Sequence, residues 1–383
     1  MARASGRLGI DTEFMSEGRY FALLCVVQVA VEDAGGAIRT EVLDALDDRL
    51  DPAPLAEVLA DPDVEIVMHA GGQDVPILRR EWKTEVRNIF DTQVAAAFTG
   101  VGAQLGFGRL LDQMLGVKLD KSASFTRWDV RPLTQEQVEY ARGDVDHLLA
   151  LTDAIAERLE QTGRLEWARE ECRYLEQVGA DRDPEEVYKR LPRSGGMRPK
   201  ARAVVRELAA WRERTAREEN KPVSSVLPDH VLVEAAKRAP TDVGQLESIR
   251  GVHQGIVRKR GQDIVAAVSR GQAAEPPPTE DDSRANGVSE DTPVALLAEA
   301  LIRTRAREAG LAYELVASRA ELTALVTTAR AGEDEPSVRT LQGWRRELVG
   351  DEVLELLSGR RSLSVGADSR LRVAEADGGS AGP

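Results

Sequence analysis

Two carboxylates stand two residues apart near the start of the chain, in the stretch RLGIDTEFMS. Leu8 and Ile10 indicate an apolar strand, and Asp11 and Glu13 end it. Residues i and i+2 of a strand point to the same face, so the two carboxylates should project side by side. Two like charges this close are unfavourable unless something positive lies between them, which indicates a positively charged partner.

Two more acidic positions follow later predicted elements. Asp74 comes after the strand-like stretch IVMHA and a Gly-Gly turn, where a helix should begin. Asp144 lies four residues after Tyr140 on a long predicted helix, and positions i and i+4 share a helix face. Taken singly, Asp74 could be a helix cap, Tyr140 a core aromatic and Asp144 a surface charge. Asp11 and Glu13 are harder to explain in this way, because their strand is apolar.

Strand and helix patterns alternate through the first 150 residues. Strands are predicted at RLGIDTEF, ALLCVVQVAV, AIRTEVL, VEIVMHA and the start of NIFDTQVAAAFTG, and helices at PLAEVLA, QDVPILRREW and FGRLLDQMLG. Three strands followed by alternating helices and strands predict an α/β domain in which helices cover a mixed sheet. The stretch from Pro132 to Gly163 predicts one long amphipathic helix, with Thr134 and Gln137 as a capping box.

Composition divides the chain into domains and linkers. The segment 272–291 is rich in proline, acids and small residues, which is typical of a disordered linker. The predicted order is an α/β domain at 1–175, a connector at 176–197, a small all-helical domain at 198–271, the linker at 272–291, a second helical domain at 292–362 and a disordered tail at 363–383.

Charge is distributed unevenly along the 383 residues. The net charge of −14 is not typical of a nucleic-acid binder. Residues 1–150 hold 15 Lys/Arg and 25 Asp/Glu, whereas residues 195–271 hold 15 Lys/Arg and 9 Asp/Glu. An acidic module is therefore joined to a basic one, and the basic module is the part expected to meet phosphates.

The cysteine positions and the hydropathy of the chain indicate the cellular compartment of the protein. Cys25 and Cys172 lie far apart in sequence, so neither a disulfide framework nor a cysteine zinc site is predicted. The apolar run from Phe21 to Val31 is too short to span a bilayer, and the N-terminus lacks the apolar region of a signal peptide. We therefore expect a cytoplasmic protein without membrane contact.

The acidic positions, taken in order, resemble a known set of motifs. DxE after a strand, HAxxxD after a later strand and YxxxD on a late helix resemble the three exonuclease motifs of the DEDDy family. The stretch LGVKLDKSASFTRWDVRPLTQEQVEYARGDVDHLLAL closely resembles the corresponding part of bacterial ribonuclease D. RELAAWRERTAREENKPVSSVLPDHVLVEAAKRAPTDVGQLESIRG resembles the HRDC domain, the helicase-and-RNase-D C-terminal module.

This resemblance is clear over residues 7–271 and looser over 292–360, which resembles a second HRDC domain. It implies an α/β RNase H-like exonuclease domain, a mixed sheet flanked by helices, followed by one or two small all-α HRDC-type domains. The implied activity is metal-dependent 3′–5′ exoribonuclease trimming of structured RNA such as tRNA precursors, with release of nucleoside 5′-monophosphates. A monomer is the expected state.

The resemblance also assigns roles to the site residues. Asp11, Glu13, Asp74 and Asp144 would hold two divalent ions, Mg²⁺ or Mn²⁺, which prefer hard oxygen ligands. Asp11 would bridge the ions, Glu13 and Asp144 would bind the first, and Asp74 would serve the second, partly through water. Tyr140 would orient or deprotonate the attacking water, and positioning is the better-supported role because a free tyrosine has a pKa of about 10.

Further residues are candidates for substrate contact, each beside a simpler explanation. His69 could instead make a structural hydrogen bond, Gln28 could face a neighbouring strand, and Trp128 could pack in the core. Within the basic module, RKRG at 258–261 is the densest cluster and the preferred phosphate contact, although helical charge runs are often solvated faces. The full set is Gln28, His69, Lys121, Ser124, Trp128, Arg258, Lys259 and Arg260.

Two other functions fit the same motifs. A DNA exonuclease of the same fold is one, because nothing in the motifs distinguishes a ribose 2′-hydroxyl from its absence. A non-catalytic RNA-binding protein with a decayed nuclease site is the other. The presence of all four acids and Tyr140 argues against decay.

Overall fold

A five-stranded sheet lies at the centre of the α/β part of the chain. The computed structural model describes residues 1–119, 127–179, 183–191, 197–277, 292–332 and 335–376. The strands are β1 (Arg7–Met15), β2 (Leu23–Glu32), β3 (Ile38–Asp44), β4 (Glu65–Met68) and β5 (Ile89–Asp91), in the order β3-β2-β1-β4-β5. β2 and β3 are antiparallel, while β4 runs parallel to β1 and to β5. The predicted mixed sheet is confirmed.

The relative direction of β1 and β2 follows from pairs of side chains that lie across them. Arg7 Nη2 donates to Glu32 Oε2 at 2.9 Å, and a methyl group at Gly9 would lie 3.3 Å from Cβ of Ala30. Going forward from Arg7 to Gly9 on β1 therefore corresponds to going back from Glu32 to Ala30 on β2, so the two strands are antiparallel. The short connection between them agrees, because parallel neighbours need a crossover of about a dozen residues or more.

Eight helices of the described residues accompany this sheet. They are α1 (Ala2–Ser5), α2 (Ala53–Leu59), α3 (Asp74–Trp82), α4 (Thr92–Ala96), α5 (Phe107–Leu115), α6 (Gln135–Asp146), α7 (Leu148–Gln161) and α8 (Leu165–Cys172). The capping box of Thr134 and Gln137 forms as predicted. The single long helix predicted after Pro132 is instead two helices, because His147 leaves helical geometry (φ −107°, ψ 0°) and ends α6.

Helix α7 lies close against the sheet. A methyl group at Gly9 would lie 3.3 Å from Cβ of Ala30 and 3.5 Å from the side chains of Leu148 and Leu149. The separation from Ala30 is tighter than an ordinary packing contact, whereas those from Leu148 and Leu149 are ordinary ones, so α7 packs directly over β1 at Gly9. The approach also fixes α6, which immediately precedes α7 and carries Tyr140 and Asp144.

Residues Phe14–Leu24 and Gly179–Gly287 form a second compact unit. Its helices are α9 (Pro199–Glu218), α10 (Val223–Val226), α11 (Asp229–Arg238), α12 (Val243–Glu247) and α13 (Gln254–Ala273). α9 and α13 cross closely, since a methyl group at Gly271 would lie 2.5 Å from Cα of Val204. Several arginines of this unit are structural: Arg212 is buried and donates to the Leu227 carbonyl at 2.9 Å.

The C-terminal helices belong to the same compact unit as the sheet, which comprises Met1–Glu13, Cys25–Val178 and Val288–Pro383. They are α14 (Thr292–Glu308), α15 (Tyr313–Val316), α16 (Arg319–Ala331), α17 (Gly343–Arg345) and α18 (Asp351–Leu357). Trp344 packs edge-on against Phe98 (ring centroids 5.0 Å apart) and stacks on Trp167 (5.5 Å). The segment is helical as predicted, but it shares its hydrophobic core with α4, α5, α7 and α8.

A hairpin closes the described part of the chain. β6 (Arg361–Val365) pairs antiparallel with β7 (Leu371–Glu375), and Leu363 lies opposite Val373. This hairpin replaces the disordered tail predicted from residue 363, because Leu363 and Val373 pack against the hydrophobic core of the helices. Among the described residues, no helix is both long and apolar enough to cross a membrane.

Candidate active site

Three of the four predicted acids meet in one cluster. Asp11 and Glu13 project from β1 and Asp144 from α6, and one carboxylate oxygen of each lies within 4.8 Å of the others. Arg131 anchors the segment that leads into α6: its guanidinium donates to Asp44 at 2.6 Å and to the Cys25 carbonyl at 2.9 Å. The sheet therefore fixes both sources of the clustered carboxylates.

Asp74 lies beside this cluster. It is the first residue of α3 and is buried, and the Thr12 hydroxyl donates a hydrogen bond to its carboxylate. Thr12 stands between Asp11 and Glu13 on β1, so the same strand that supplies two acids also holds the fourth. The charge of Asp74 contributes to raising the pKa of both Asp11 and Glu13, which places it within electrostatic reach of the cluster.

Burial and mutual repulsion disfavour the simultaneous ionisation of the four carboxylates. Burial, followed by the charges of Asp74, Asp144 and Glu13, raises the pKa of Asp11 well above its usual range. Burial raises the pKa of Glu13 to about 8, with added repulsion from Asp144 and Asp74, and raises the pKa of Asp74 and of Asp144 to about 6. Within the described part of the chain, no Lys or Arg forms an ion pair with any of these acids.

The donor set fits a divalent cation. Carboxylate oxygens are hard ligands of the kind that Mg²⁺, Mn²⁺ and Ca²⁺ prefer. A buried group of carboxylates without a basic partner is unfavourable until a cation joins it. Asp11, Glu13 and Asp144 are the residues that could hold such an ion, with Asp74 close by.

Tyr140 faces the same acids from α6. Burial, followed by repulsion from Asp144, Glu13 and Asp11, raises the pKa of Tyr140 to about 12. Its hydroxyl is therefore protonated at neutral pH when no cation is bound. Its ring packs against Trp128, with ring centroids 6.0 Å apart.

Trp128 and His69 occupy structural positions rather than open ones. Trp128 is only 2% exposed, so its ring supports Tyr140 and is not free to stack on a nucleotide. His69 Nδ1 lies 2.9 Å from Thr92 Oγ1, and burial lowers the pKa of its imidazole. In both cases the simpler explanation considered from the sequence is the one the geometry favours.

Gln28 lies deep in the sheet, opposite the cluster. The register set by Gly9 and Ala30 places Gln28 directly across from Asp11, and such pairs have Cβ atoms about 4.5–5.5 Å apart. The Gln28 side chain is fully buried, and neither of its amide atoms has a hydrogen-bond partner among the described residues. A direct contact with substrate, as predicted, does not fit this burial. Lys121 and Ser124 lie outside the described residues.

The basic cluster at 258–260 is divided between two faces of α13. Arg260 is 7% exposed and donates to the Val226 carbonyl at 3.0 Å and to Glu219 at 2.8 Å. Lys259 also donates to Glu219, at 2.8 Å, while Arg258 is exposed. Neighbouring helical positions point in different directions, so a run of three cations cannot share one surface. The prediction of a phosphate contact is therefore wrong for Arg260.

Sequence reasoning missed two residues next to the acids. Thr12 gave no signal, because a threonine in a strand is unremarkable. Asp91 could have been noticed, since an aspartate directly before a helix is a common cap. It does cap α4 by accepting from the backbone N–H groups of Gln93 and Val94, but its other contacts come from a distant segment.

Two family models match this chain. The model described as 3′-5′ exonuclease matches residues 1–160, and the HRDC domain model matches residues 201–268. Ribonuclease D of Granulibacter bethesdensis is 37% identical over 361 residues, which cover 93% of this chain and 88% of that protein. This chain belongs to the ribonuclease D family. Ribonuclease D of Gluconacetobacter diazotrophicus is similarly related, at 38% identity over 94% of this chain and 89% of its own.

A solved structure extends the family match to three dimensions. Escherichia coli RNase D superposes with a TM-score of 0.81 at 28% identity, covering 93% of this chain and 94% of that structure. This member of the ribonuclease D family is therefore a 3′–5′ exoribonuclease with an α/β exonuclease domain and an HRDC domain. The family depends on divalent metal, and the cluster of Asp11, Glu13 and Asp144 is the part of this chain suited to holding it.

Proposed function

We propose that this ribonuclease D family member trims the 3′ ends of structured RNA, such as tRNA precursors, and releases nucleoside 5′-monophosphates. The observation that carries the proposal is the convergence of Asp11, Glu13 and Asp144 within 4.8 Å. The Escherichia coli relative, described as an exoribonuclease involved in structured RNA processing, supports the choice of substrate.

Two divalent ions, Mg²⁺ or Mn²⁺, are the cofactors we propose. Asp11, Glu13 and Asp144 would hold the first, and Asp11 together with Asp74 would hold the second. When bound, such a pair of ions stabilises the attacking and leaving oxygens of an in-line displacement at phosphorus. Burial and then repulsion raise the pKa of these acids, and the same cations would offset both effects, so binding and ionisation support each other.

Residues of the chain position the attacking water and the metal ligands. Tyr140 donates a hydrogen bond from its protonated hydroxyl and thereby orients the water that attacks the terminal phosphodiester. Trp128 holds the Tyr140 ring in place from behind. Thr12 keeps the Asp74 carboxylate at the edge of the cluster. The precise placement of these groups, rather than any covalent step, would supply most of the rate enhancement.

Contacts to the RNA backbone need positive charge at exposed positions. Arg258 on α13 is exposed and remains our proposed phosphate contact in the HRDC domain. Lys121 and Ser124, outside the described residues, stay predictions for contacts near the scissile end. We further propose that the protein is cytoplasmic and that it is a monomer. Size-exclusion chromatography with light scattering would test the monomeric state.

An exonuclease assay tests the central proposal. RNA labelled at its 3′ end should lose mononucleotides with Mg²⁺ or Mn²⁺ and lose none with EDTA. Asp11→Asn should abolish release, whereas Asp112→Asn, an exposed acid on α5, should not alter it. Release that persists in EDTA would contradict the metal mechanism, and equal rates on the matching DNA would contradict the preference for RNA.

A further inference from the structure

Asp91 is a fully buried acid that the four-carboxylate cluster does not include. It is the last residue of β5, and its Oδ1 accepts from the backbone N–H groups of Gln93 at 2.8 Å and Val94 at 3.1 Å. These two bonds satisfy free donors in the first turn of α4, as a helix cap does. Capping alone would use one oxygen and leave the other without a role.

The rest of the Asp91 carboxylate is used by the turn that follows β4. Oδ1 also accepts from the Ala70 N–H at 3.1 Å, and Oδ2 accepts from the Gly71 N–H at 2.8 Å. The next residue adds a parallel link, because Thr92 Oγ1 donates to the Met68 carbonyl at 3.1 Å. Four backbone donors, at 70–71 and at 93–94, thus converge on one buried carboxylate, which compensates its loss of water.

This turn needs an external support. Ala70 has a φ of +59°, a left-handed conformation that L side chains rarely adopt. Gly71 is packed so closely that a methyl group there would lie 2.8 Å from Sδ of Met68. Three residues later the turn delivers Asp74, the first residue of α3. The path of the chain from β4 to Asp74 therefore depends on a strained residue and a crowded one.

We infer that Asp91 is a positioning residue, which fixes this turn and thereby sets the Asp74 carboxylate beside Asp11. The inference rests on the proposed role of Asp74 in the site. The role that we assign to Asp91 involves no direct contact with substrate or ions. It acts on Asp74 indirectly, through the Ala70 and Gly71 N–H groups, while Thr12 holds the Asp74 carboxylate directly.

Asp91→Asn in the full chain tests the inference. The amide keeps one oxygen for the α4 cap but presents N–H in place of the oxygen that accepts from Gly71. Supporting residues of metal sites typically cost about 10–100-fold in metal affinity or activity when changed. We expect a loss of that size both in kcat and in the affinity of the RNA-free protein for Mn²⁺, measured by calorimetry, with KM for RNA within about twofold.

A matched control separates positioning from capping. Asp242 caps α12 by accepting from the Gln245 N–H at 2.9 Å, and it is exposed in the second unit. Asp242→Asn should leave both kcat and Mn²⁺ affinity unchanged. Asp91→Ser serves as a second test variant, because serine retains the cap but is too short to reach Gly71. It should reproduce the losses of Asp91→Asn.

A double-mutant cycle shows whether Asp91 acts through Asp74. Asp74→Asn combined with Asp91→Asn should be no less active than Asp74→Asn alone, because the second change has nothing left to misplace. Effects that multiply, or an Asp91→Asn protein with wild-type kcat and Mn²⁺ affinity, would overturn the inference. If Asp74→Asn itself is fully active, the proposed function of the site fails instead.

Should neither Asp91 variant fold, hydrogen exchange of the wild-type protein decides. The Ala70 and Gly71 amides should be as well protected as those of β4. Rapid exchange of both amides would mean that Asp91 does not hold the turn, and the inference would be abandoned.

Discussion

The hydroxyl of Thr12 donates a hydrogen bond to the carboxylate of Asp74, although the two residues lie on different elements. Alternation along a strand turns Thr12 away from the face that carries Asp11 and Glu13. The stretch Asp-Thr-Glu on β1 thus uses both of its faces for one site: one face supplies two carboxylates and the other holds a third. A change at Thr12 should therefore affect the position of the Asp74 carboxylate in the site.

Thr12→Val should therefore lower activity without unfolding the protein. Valine has nearly the same shape, but it leaves a buried Asp74 oxygen without its donor, which costs roughly 1–3 kcal/mol. We expect kcat to fall about tenfold or more, with little change in KM for RNA. Thr152→Val is the control, since Thr152 is a buried threonine whose hydroxyl donates to the Leu148 carbonyl within α7. Equal activities of the two variants would contradict the role of Thr12.

Gln28→Met should separate activity from stability. Both amide atoms of Gln28 are buried without a partner among the described residues, so an apolar side chain of similar length should keep or raise the melting temperature. Activity should nevertheless fall about tenfold, because methionine replaces a polar side chain that lies directly across from Asp11, although no hydrogen bond joins the two side chains in this structure. A lower melting temperature with unchanged activity would show that Gln28 serves the sheet alone.

Local sequence pattern was sufficient for the elements but not for the contacts between them. The apolar alternation of β1 and the capping box at Thr134 are signals confined to a few neighbouring residues, and both elements formed as predicted. The pairing of Trp344 with Phe98 joins residues far apart in sequence, so no local pattern could indicate that the C-terminal helices share the core of the α/β part. Arg260 was misplaced for the same reason: its partner Glu219 lies far away in sequence, just beyond the end of α9.

The acids of the site show the same division. The spacing of Asp11 and Glu13 on a strand was enough to predict that they lie side by side. Their carboxylate oxygens do lie within 4.8 Å of each other. The support that Asp74 receives from Asp91 depends on the path of the chain after β4, which includes a left-handed residue at Ala70. Backbone strain of this kind at a non-glycine residue has no signature in the sequence.

The metal-free protein should lose stability as the pH rises. An acid whose pKa is higher folded than unfolded binds a proton more readily when folded, so the free energy of unfolding decreases between its unfolded and folded pKa values. For Glu13 this window runs from about 4.5 to about 8, and for Asp74 and Asp144 from about 3.8 to about 6. Above about pH 6 the decrease should therefore come mainly from Glu13.

Thermal melts in EDTA test this pH dependence. Between about pH 6 and pH 8 the melting temperature of the wild type should fall more than that of Glu13→Gln, which cannot ionise at this position. Added Mn²⁺ should raise the melting temperature most at the higher pH, because the ionised acids bind the cation. Parallel pH profiles for the two proteins in EDTA would contradict the raised pKa of Glu13.

Tyr140→Phe should retain the ring packing and lose the reaction. The aromatic ring still fits against Trp128, so the melting temperature should change little. The hydroxyl that orients water is gone, and we expect kcat to fall about 100-fold or more at unchanged KM. The pKa of Tyr140 is raised to about 12, so Tyr140 does not titrate in the acidic range. Any fall of activity towards low pH (the acidic limb of the pH profile) should therefore persist in the variant. Disappearance of that limb would show that Tyr140 is the titrating base.

Two arginines of α13 that are two residues apart should give opposite results. Arg258 is exposed, so Arg258→Ala should weaken RNA binding, reduce the slope of log K against log salt by about one, and leave the HRDC domain stable. Arg260 is buried against Glu219 and the Val226 carbonyl, so Arg260→Ala should destabilise that domain by roughly 1–3 kcal/mol. Fluorescence anisotropy over a salt series and urea unfolding measure the two effects. A smaller salt slope for a fully folded Arg260→Ala protein would contradict the division of this basic cluster into a binding face and a structural face.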